Sequence, residues 1–431
     1  MKYLFTLLLG VSVLMACSDS TRIVSEEASM ANSYFITQDS AIILANKAVA
    51  SISGVSCDAT RGIDGRKVKN VSIVNDVLKS RSASDNGISK SLYIVNYEDD
   101  KGFAVVSSDK RLQPIYAVSD SGSLNIRDTI DNKGLALFFS GVQYEMARAS
   151  SNSPIISVGS DNKNYVYGAQ VSPLISSNTR KWGQKNPYNK YCPLVSGERS
   201  FVGCAPVACA IIMSYYMWPK KITDFSSGFY DMNLPWRSMK NGGANDKVAF
   251  LFSELGTQKL LNTKYSSNVE VGSRSNIDSI APTFLKMGYL VPKKFNLFDS
   301  GDICEILDDA QRGITDNSGH GPVLISASCV DGGAHIWVID GYVKNPVAPD
   351  GATWKVILYH CVWGYNNGLN NGYFYFNEKN QLGGIAGYFN AEDTGGNKVK
   401  DPSWYKGLLY MTNFRKDTKY IRGGGKLKYE D

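Results

Sequence analysis

Three histidines, His320, His335 and His360, and eight cysteines supply all the imidazole and thiol chemistry open to this 431-residue chain. Cys204 stands in Phe201-Val202-Gly203-Cys204-Ala205-Pro206-Val207-Ala208-Cys209-Ala210. A thiol becomes a strong nucleophile near neutral pH only when its pKa falls, and the partial positive charge of a helix N-terminus lowers it. Gly203 gives backbone freedom just before the turn. Pro206 is tolerated in a first helical turn, where its missing N–H has no intrahelical partner to lose. Read locally, Cys204 suits an activated thiolate, and it suits a buried structural cysteine equally well. Cys209 lies five residues on, about 140° around a helix, among Ala208, Ala210 and Ile211, and reads as core packing.

A reactive thiolate needs an imidazole as ion-pair partner and general acid. His335 follows Asp331-Gly332-Gly333-Ala334 and opens an apolar run through Tyr342; the glycines leave space for a substrate backbone beside the ring. His320, in Ser318-Gly319-His320-Gly321-Pro322, reads as a solvated turn. His360, placed mid-strand before Cys361, reads as packed or hydrogen-bonded.

The elements that must position these groups fall into two regions. A polar stretch from Ser150 to Asn164, rich in Ser, Asn, Gly and Asp, predicts an exposed linker over 150–168 and a site for nicking. Before it, Thr37 to Ser40 caps a helix over 41–49, strands over 92–97 and 102–107 form a hairpin, 114–118 adds a strand and 134–149 a helix. Alone, that module (17–149) could be a binding domain, an inhibitor or a folding aid. After it, helices are predicted over 204–218, 247–261, 275–287 and 302–312, and strands over 322–328, 336–342, 353–363 and 373–376. Helices first and strands afterwards define an α+β domain (169–415) with a cleft between its halves, followed by a basic tail over 416–431.

Composition agrees with a folded, exported chain. Hydrophobic residues make up 43%, with 25 Tyr, 17 Phe and 7 Trp, and charged residues only 20%, which excludes wholesale disorder and coiled coil. A net charge of +6 spread over the whole length argues against a nucleic-acid partner. Lys2 followed by an apolar run to Val11, then Leu14-Met15-Ala16-Cys17, reads as a bacterial lipoprotein signal over 1–16 with Cys17 lipidated, anchoring the chain to the membrane of the cell envelope or surface. An ordinary secretory signal cut at Ala16 is the alternative. The seven cysteines beyond Cys17 contain no C-x-x-C pair, so no zinc cage is expected.

Taken together, these elements resemble the streptopain family of papain-like cysteine peptidases. The matches occur in family order: Trp-x-Gln-x-x-Pro-Tyr-Asn at Trp182–Asn189, Gly203-Cys204 opening a helix that ends in Tyr215–Pro219, His335 before Val338-Ile339-Asp340-Gly341-Tyr342, and Trp363-Gly364 followed by Asn371-Gly372-Tyr373-Phe374. The first module, through Gly102–Leu112, resembles the family's inhibitory propeptide. The resemblance implies a papain-like α+β fold with a helical half and an antiparallel-sheet half behind a small α+β prodomain. It implies a latent endopeptidase acting on protein or peptide substrates without metal or organic cofactor, with its own propeptide as inhibitor. Cys204 would attack the scissile carbonyl, His335 would shuttle the proton, Gln184 and the Cys204 N–H would hold the oxyanion, and Trp363 would pack beside His335.

The chain departs from the family pattern at four places. Ala334 stands where Gly precedes the histidine, and Trp-Gly-Trp-Gly-Gly becomes Trp363-Gly364-Tyr365-Asn366-Asn367. Val362 replaces an Asn, and Cys361 occupies the position of papain's orienting Asn. The expectation is therefore a Cys–His dyad. A surface lipoprotein that binds peptides without cleaving them, and an acyl transferase or amidase using the same pair, are the competing readings.

Overall fold

The computed structural model describes residues 34–53, 66–74, 92–125, 132–148, 168–223, 231–242, 245–295, 300–313, 320–328, 334–344, 357–376, 391–392, 398–399 and 407–417. The signal, Cys17, nearly all of the expected linker and most of the basic tail lie outside these residues.

Helix α1 (Gln38–Ile52) starts at the predicted cap, where the Thr37 hydroxyl accepts the Ser40 N–H at 3.3 Å and satisfies a donor that a first turn leaves unpaired. Its Ala41, Leu44, Ala45, Ala48 and Val49 recur at three- and four-residue spacing and pack on one face of strands β2 (Leu92–Tyr97), β3 (Phe103–Ser107) and β4 (Ile115–Ser119). An edge strand not predicted from the sequence, β1 (Val68–Val74), pairs with β2. Helix α2 (Lys133–Arg148) follows, and Gly168–Val171 forms β5.

The second region contributes helices α3 (Cys204–Tyr216), α4 (Trp236–Lys240), α5 (Asn245–Leu255), α6 (Ile280–Lys286) and α7 (Ser300–Gln311). Its strands in the main sheet are β6 (Lys293–Phe295), β7 (Val323–Ser328), β8 (Ala334–Lys344), β9 (Ile357–Val362), β10 (Gly372–Tyr375) and β11 (Gly407–Thr412). The fold is α+β, as the sequence implies.

The two regions are nevertheless not independent modules. One antiparallel sheet runs through both in the order β1-β2-β3-β4-β10-β9-β8-β7-β11-β6, with β5 against β8. The seam is the β4–β10 pair, with Ala117 opposite Phe374 and Val118 opposite Tyr373.

Strand β8 serves two cores because successive side chains alternate across a sheet. Ile336 and Val338 join the core built on α3, α5 and α6. Trp337 and Ile339 join a second core with Trp363, Phe374 and the α2 residues Leu135 and Phe138. Among the described residues, no helix is long and apolar enough to cross a membrane.

Candidate active site

Cys204 opens α3, and the preceding Gly203 has φ 94°, a backbone conformation that favours glycine. Ten of the thirteen residues of α3 are buried, so the helix is fixed by packing and its first turn is presented at a set position. Met217 ends it in the left-handed conformation. Cys209 is fully buried within the same core.

The Cys204 sulfur faces the backbone N–H groups of Ile336, Cys204 itself and Ala205, and the Lys133 ammonium from α2. These contacts favour a thiolate, as the sequence suggests for a helix tip. Burial is the larger influence, however, and it pushes the thiol above its ordinary value. In this arrangement Cys204 is a neutral thiol.

His335 is the chain neighbour of Ile336, so it lies next to Cys204 along β8. Its side chain takes the opposite face of the strand. The ring stacks on Trp337 at 6.2 Å between centroids, and lies 6.3 Å from Trp363 and 5.7 Å from Tyr365. Nε2 donates to the Trp363 carbonyl at 2.8 Å. A carbonyl only accepts, so this bond places the proton on Nε2 and leaves Nδ1 of a neutral ring as a base. Burial pushes the imidazole down to about 4; the Trp363 bond opposes this and the nearby Lys133 charge adds to it. Both members of the pair are therefore uncharged.

The cover over His335 is the first turn of α2. Gly134 packs so closely that a Cβ there would lie 2.2 Å from Trp363 Cε3 and 2.7 Å from His335 Cδ2. The Lys133 N–H donates to the Tyr365 hydroxyl at 2.8 Å. Its ammonium donates to the carbonyls of Glu270 and Val271 at 2.9 and 3.1 Å. Asn132 accepts the Leu135 N–H at 3.1 Å and so caps the helix.

Gln184 lies in the Trp182–Asn189 loop, half-buried, and its carbonyl accepts the Val202 N–H at 3.0 Å. That bond ties the loop to the segment two residues before Cys204. Trp363 is buried, and its backbone N–H donates to Asn371 Oδ1 at 2.9 Å. The Gln184 loop is thus tied to the segment before Cys204, and Trp363 packs beside His335 as expected. The His335 ring, however, is turned toward α2 and away from the sulfur, so the expected Cys204–His335 dyad is not assembled in this arrangement.

The remaining histidines have structural partners. His320 sits 2.9 Å from Asp309 rather than in a purely solvated turn. His360, fully buried, joins Asp340 through Nδ1 and lies 2.9 Å from Asp120 through Nε2. Nothing local in the sequence marks Asp120 or Asp340 as its partners. Asp340 also accepts the Ile175 N–H at 3.0 Å, and Asp120 lies 3.5 Å from Arg180. Among the described residues, no group of three or more His, Cys, Asp or Glu side chains could hold a metal ion.

A half-buried thiol at a helix tip and a buried histidine on the neighbouring strand, the latter under a helix from the N-terminal region, are the groups that a covered cysteine hydrolase site would need. Residues 182–374 match the peptidase C10 family, and residues 33–146 match the Spi protease inhibitor family. The chain is 26% identical over 335 residues to streptopain of Streptococcus pyogenes serotype M1, covering 70% of this chain and 78% of that one. It is 24% identical over 332 residues to the thiol protease/hemagglutinin PrtT of Porphyromonas gingivalis, covering 68% of this chain but only 35% of that longer protein. It is also similar to the prointerpain A fragment of Prevotella intermedia, at 20% identity and a TM-score of 0.49 over 80% of this chain and 99% of that one. The second region is thus similar to the peptidase C10 family and the first to the Spi protease inhibitor family, the order of a streptopain-like precursor.

Proposed function

We propose that the chain is a latent endopeptidase in which Cys204 is the nucleophile and His335 the general base and acid. The observation that carries this reading is the seat of α2: the inhibitor domain sets its Gly134 turn on His335 and Trp363, beside the Cys204 thiol. Removing that turn uncovers both groups. Hydration and mutual attraction would then lower the thiol and raise the imidazole, once the His335 ring turns across the strand edge toward the sulfur.

The reaction follows from the groups available. Nδ1 of His335 takes the Cys204 proton, and the sulfur bonds to the scissile carbonyl carbon. The resulting oxyanion is held by the Cys204 N–H and the Gln184 carboxamide. The imidazolium gives its proton to the departing amine as the C–N bond breaks. Water, deprotonated by the same ring, then cleaves the thioester and restores the thiol. In the covered orientation Trp363 supplies the carbonyl that fixes the ring's tautomer, and its indole shields the ring from water.

Activation requires a cut within 150–168, between the inhibitor and peptidase domains. The N-terminal reading extends to a lipid anchor on Cys17 and a cell-envelope or surface address. The test is mass spectrometry of the incubated precursor, wild type beside Cys204→Ala, with casein as substrate. The wild type should acquire a new N-terminus in that interval and digest casein, and the variant should do neither. A Cys204→Ala protein that matures itself and cleaves casein sinks the reading.

A further inference from the structure

The loop after β9 departs from the family pattern at Asn366, and its side chain makes three hydrogen bonds to a segment about 180 residues away. Asn366 Oδ1 accepts the Lys185 N–H at 3.0 Å, while Nδ2 donates to the carbonyls of Lys185 and Asn186 at 3.3 and 2.8 Å. Only a carboxamide, with an acceptor and two donors on one carbon, can make this set. The preceding Gly183 abuts the same residue: a Cβ there would lie 2.1 Å from the Asn366 nitrogen. Residues on both sides of Gln184 are therefore held by Asn366, and the Gln184 carbonyl itself is held by Val202 N–H.

We propose that Asn366 is a positioning residue for the oxyanion site, clamping the Lys185–Asn186 backbone so that Gln184 is held against the Cys204 turn. The inference rests on the Gln184 role proposed above and adds a second residue to it. Asn366 touches no reacting atom and acts only through Gln184. It lies three residues after Trp363, whose carbonyl receives His335, so one short loop braces the proton carrier and the oxyanion donor together. Displacing a catalytic group by a fraction of an ångström is enough to impair turnover.

The test is a double-mutant cycle on the matured enzyme: wild type, Asn366→Ala, Gln184→Ala and the double variant, each assayed for kcat and KM on a peptide amide. Asn366→Ala is expected to lower kcat about tenfold with KM within about twofold, and to have no further effect when Gln184 is already Ala. Asn366→Asp keeps the shape but loses both donated bonds, and should fall as far. If Asn366→Ala does not yield folded protein, Asn366→Gly, the residue of the family pattern, carries the same cycle. Equal fractional losses in both backgrounds, or no loss from Asn366→Ala, overturn the proposal. Unimpaired kcat in Gln184→Ala removes the oxyanion role of Gln184 and the clamp with it, and the silent single variant tells the two failures apart.

Discussion

At the scale of single residues, latency is a matter of charge. The Cys204 sulfur has three backbone N–H groups and an ammonium nearby, yet burial still leaves it a thiol, and burial leaves His335 a neutral base. An uncharged pair costs nothing in unpaired buried charge. It is also chemically quiet, because thiolate and not thiol is the nucleophile. The expected outcome with iodoacetamide is slow labelling of Cys204 in the precursor at pH 7, quickening only in alkaline solution as the raised thiol ionises. The matured enzyme should label Cys204 rapidly already at pH 7, ahead of its other cysteines. Peptide mapping of the modified sites at several pH values checks this. The reactive residue types were legible in the sequence, since Gly203-Cys204 before an apolar helix and a glycine-flanked His335 are local signals. The side of β8 taken by the His335 ring was not, because it is fixed by Trp363 and by a helix some 200 residues earlier in the chain.

At the scale of elements, the decisive contact is the first turn of α2. Alanine at Gly134 gains about 1 kcal/mol of intrinsic helix preference, but its Cβ cannot fit against the Trp363 and His335 rings. The helix must lift or the rings must move. Gly134→Ala precursor is therefore expected to mature several-fold faster than wild type, read as loss of the full-length band with time. An unchanged rate would mean that α2 does not gate the site. The elements with strong periodicity, α1, α2, α3 and the β2–β3 hairpin, were readable from the sequence to within a few residues. The short or marginal strands were not. β1 is mostly half-exposed and takes its form from β2. β6 has three residues and exists by pairing with β11. β5 begins at Gly168, inside the stretch whose composition reads as linker, because β8 supplies it a partner.

At the scale of the whole molecule, a charged cluster rivets the inhibitor domain to the peptidase. Asp120, just after β4, faces His360 of β9, Arg180 and Arg66; His360 also faces Asp340 of β8 and the Tyr373 ring of β10. Burial pulls the His360 imidazole down, but the two carboxylates outweigh it and carry it up to about 9. A raised histidine contributes stability that is complete below its ordinary 6.5 and is lost as pH climbs through about 9. The Asp120 carboxyl is held below its ordinary 3.8, so its contribution is complete above that value and fades in stronger acid. Docking of the two domains should be firmest between about pH 4 and 6.5 and weaken on the alkaline side. Asp120→Asn should abolish most of that alkaline dependence and hasten maturation; maturation rates of both proteins from pH 5 to 9 measure it, and parallel profiles would count against the cluster.

The β4–β10 seam has its own sequel. While the precursor is whole, the backbone of Gly372–Phe374 is zipped to Ser119, Val118 and Ala117. Once the N-terminal portion departs, that margin of the sheet is bare, with main-chain groups that only water or a stray extended chain can satisfy. The proposed maturation would thus turn an interior line of the precursor into a rim of the enzyme, newly able to meet strangers.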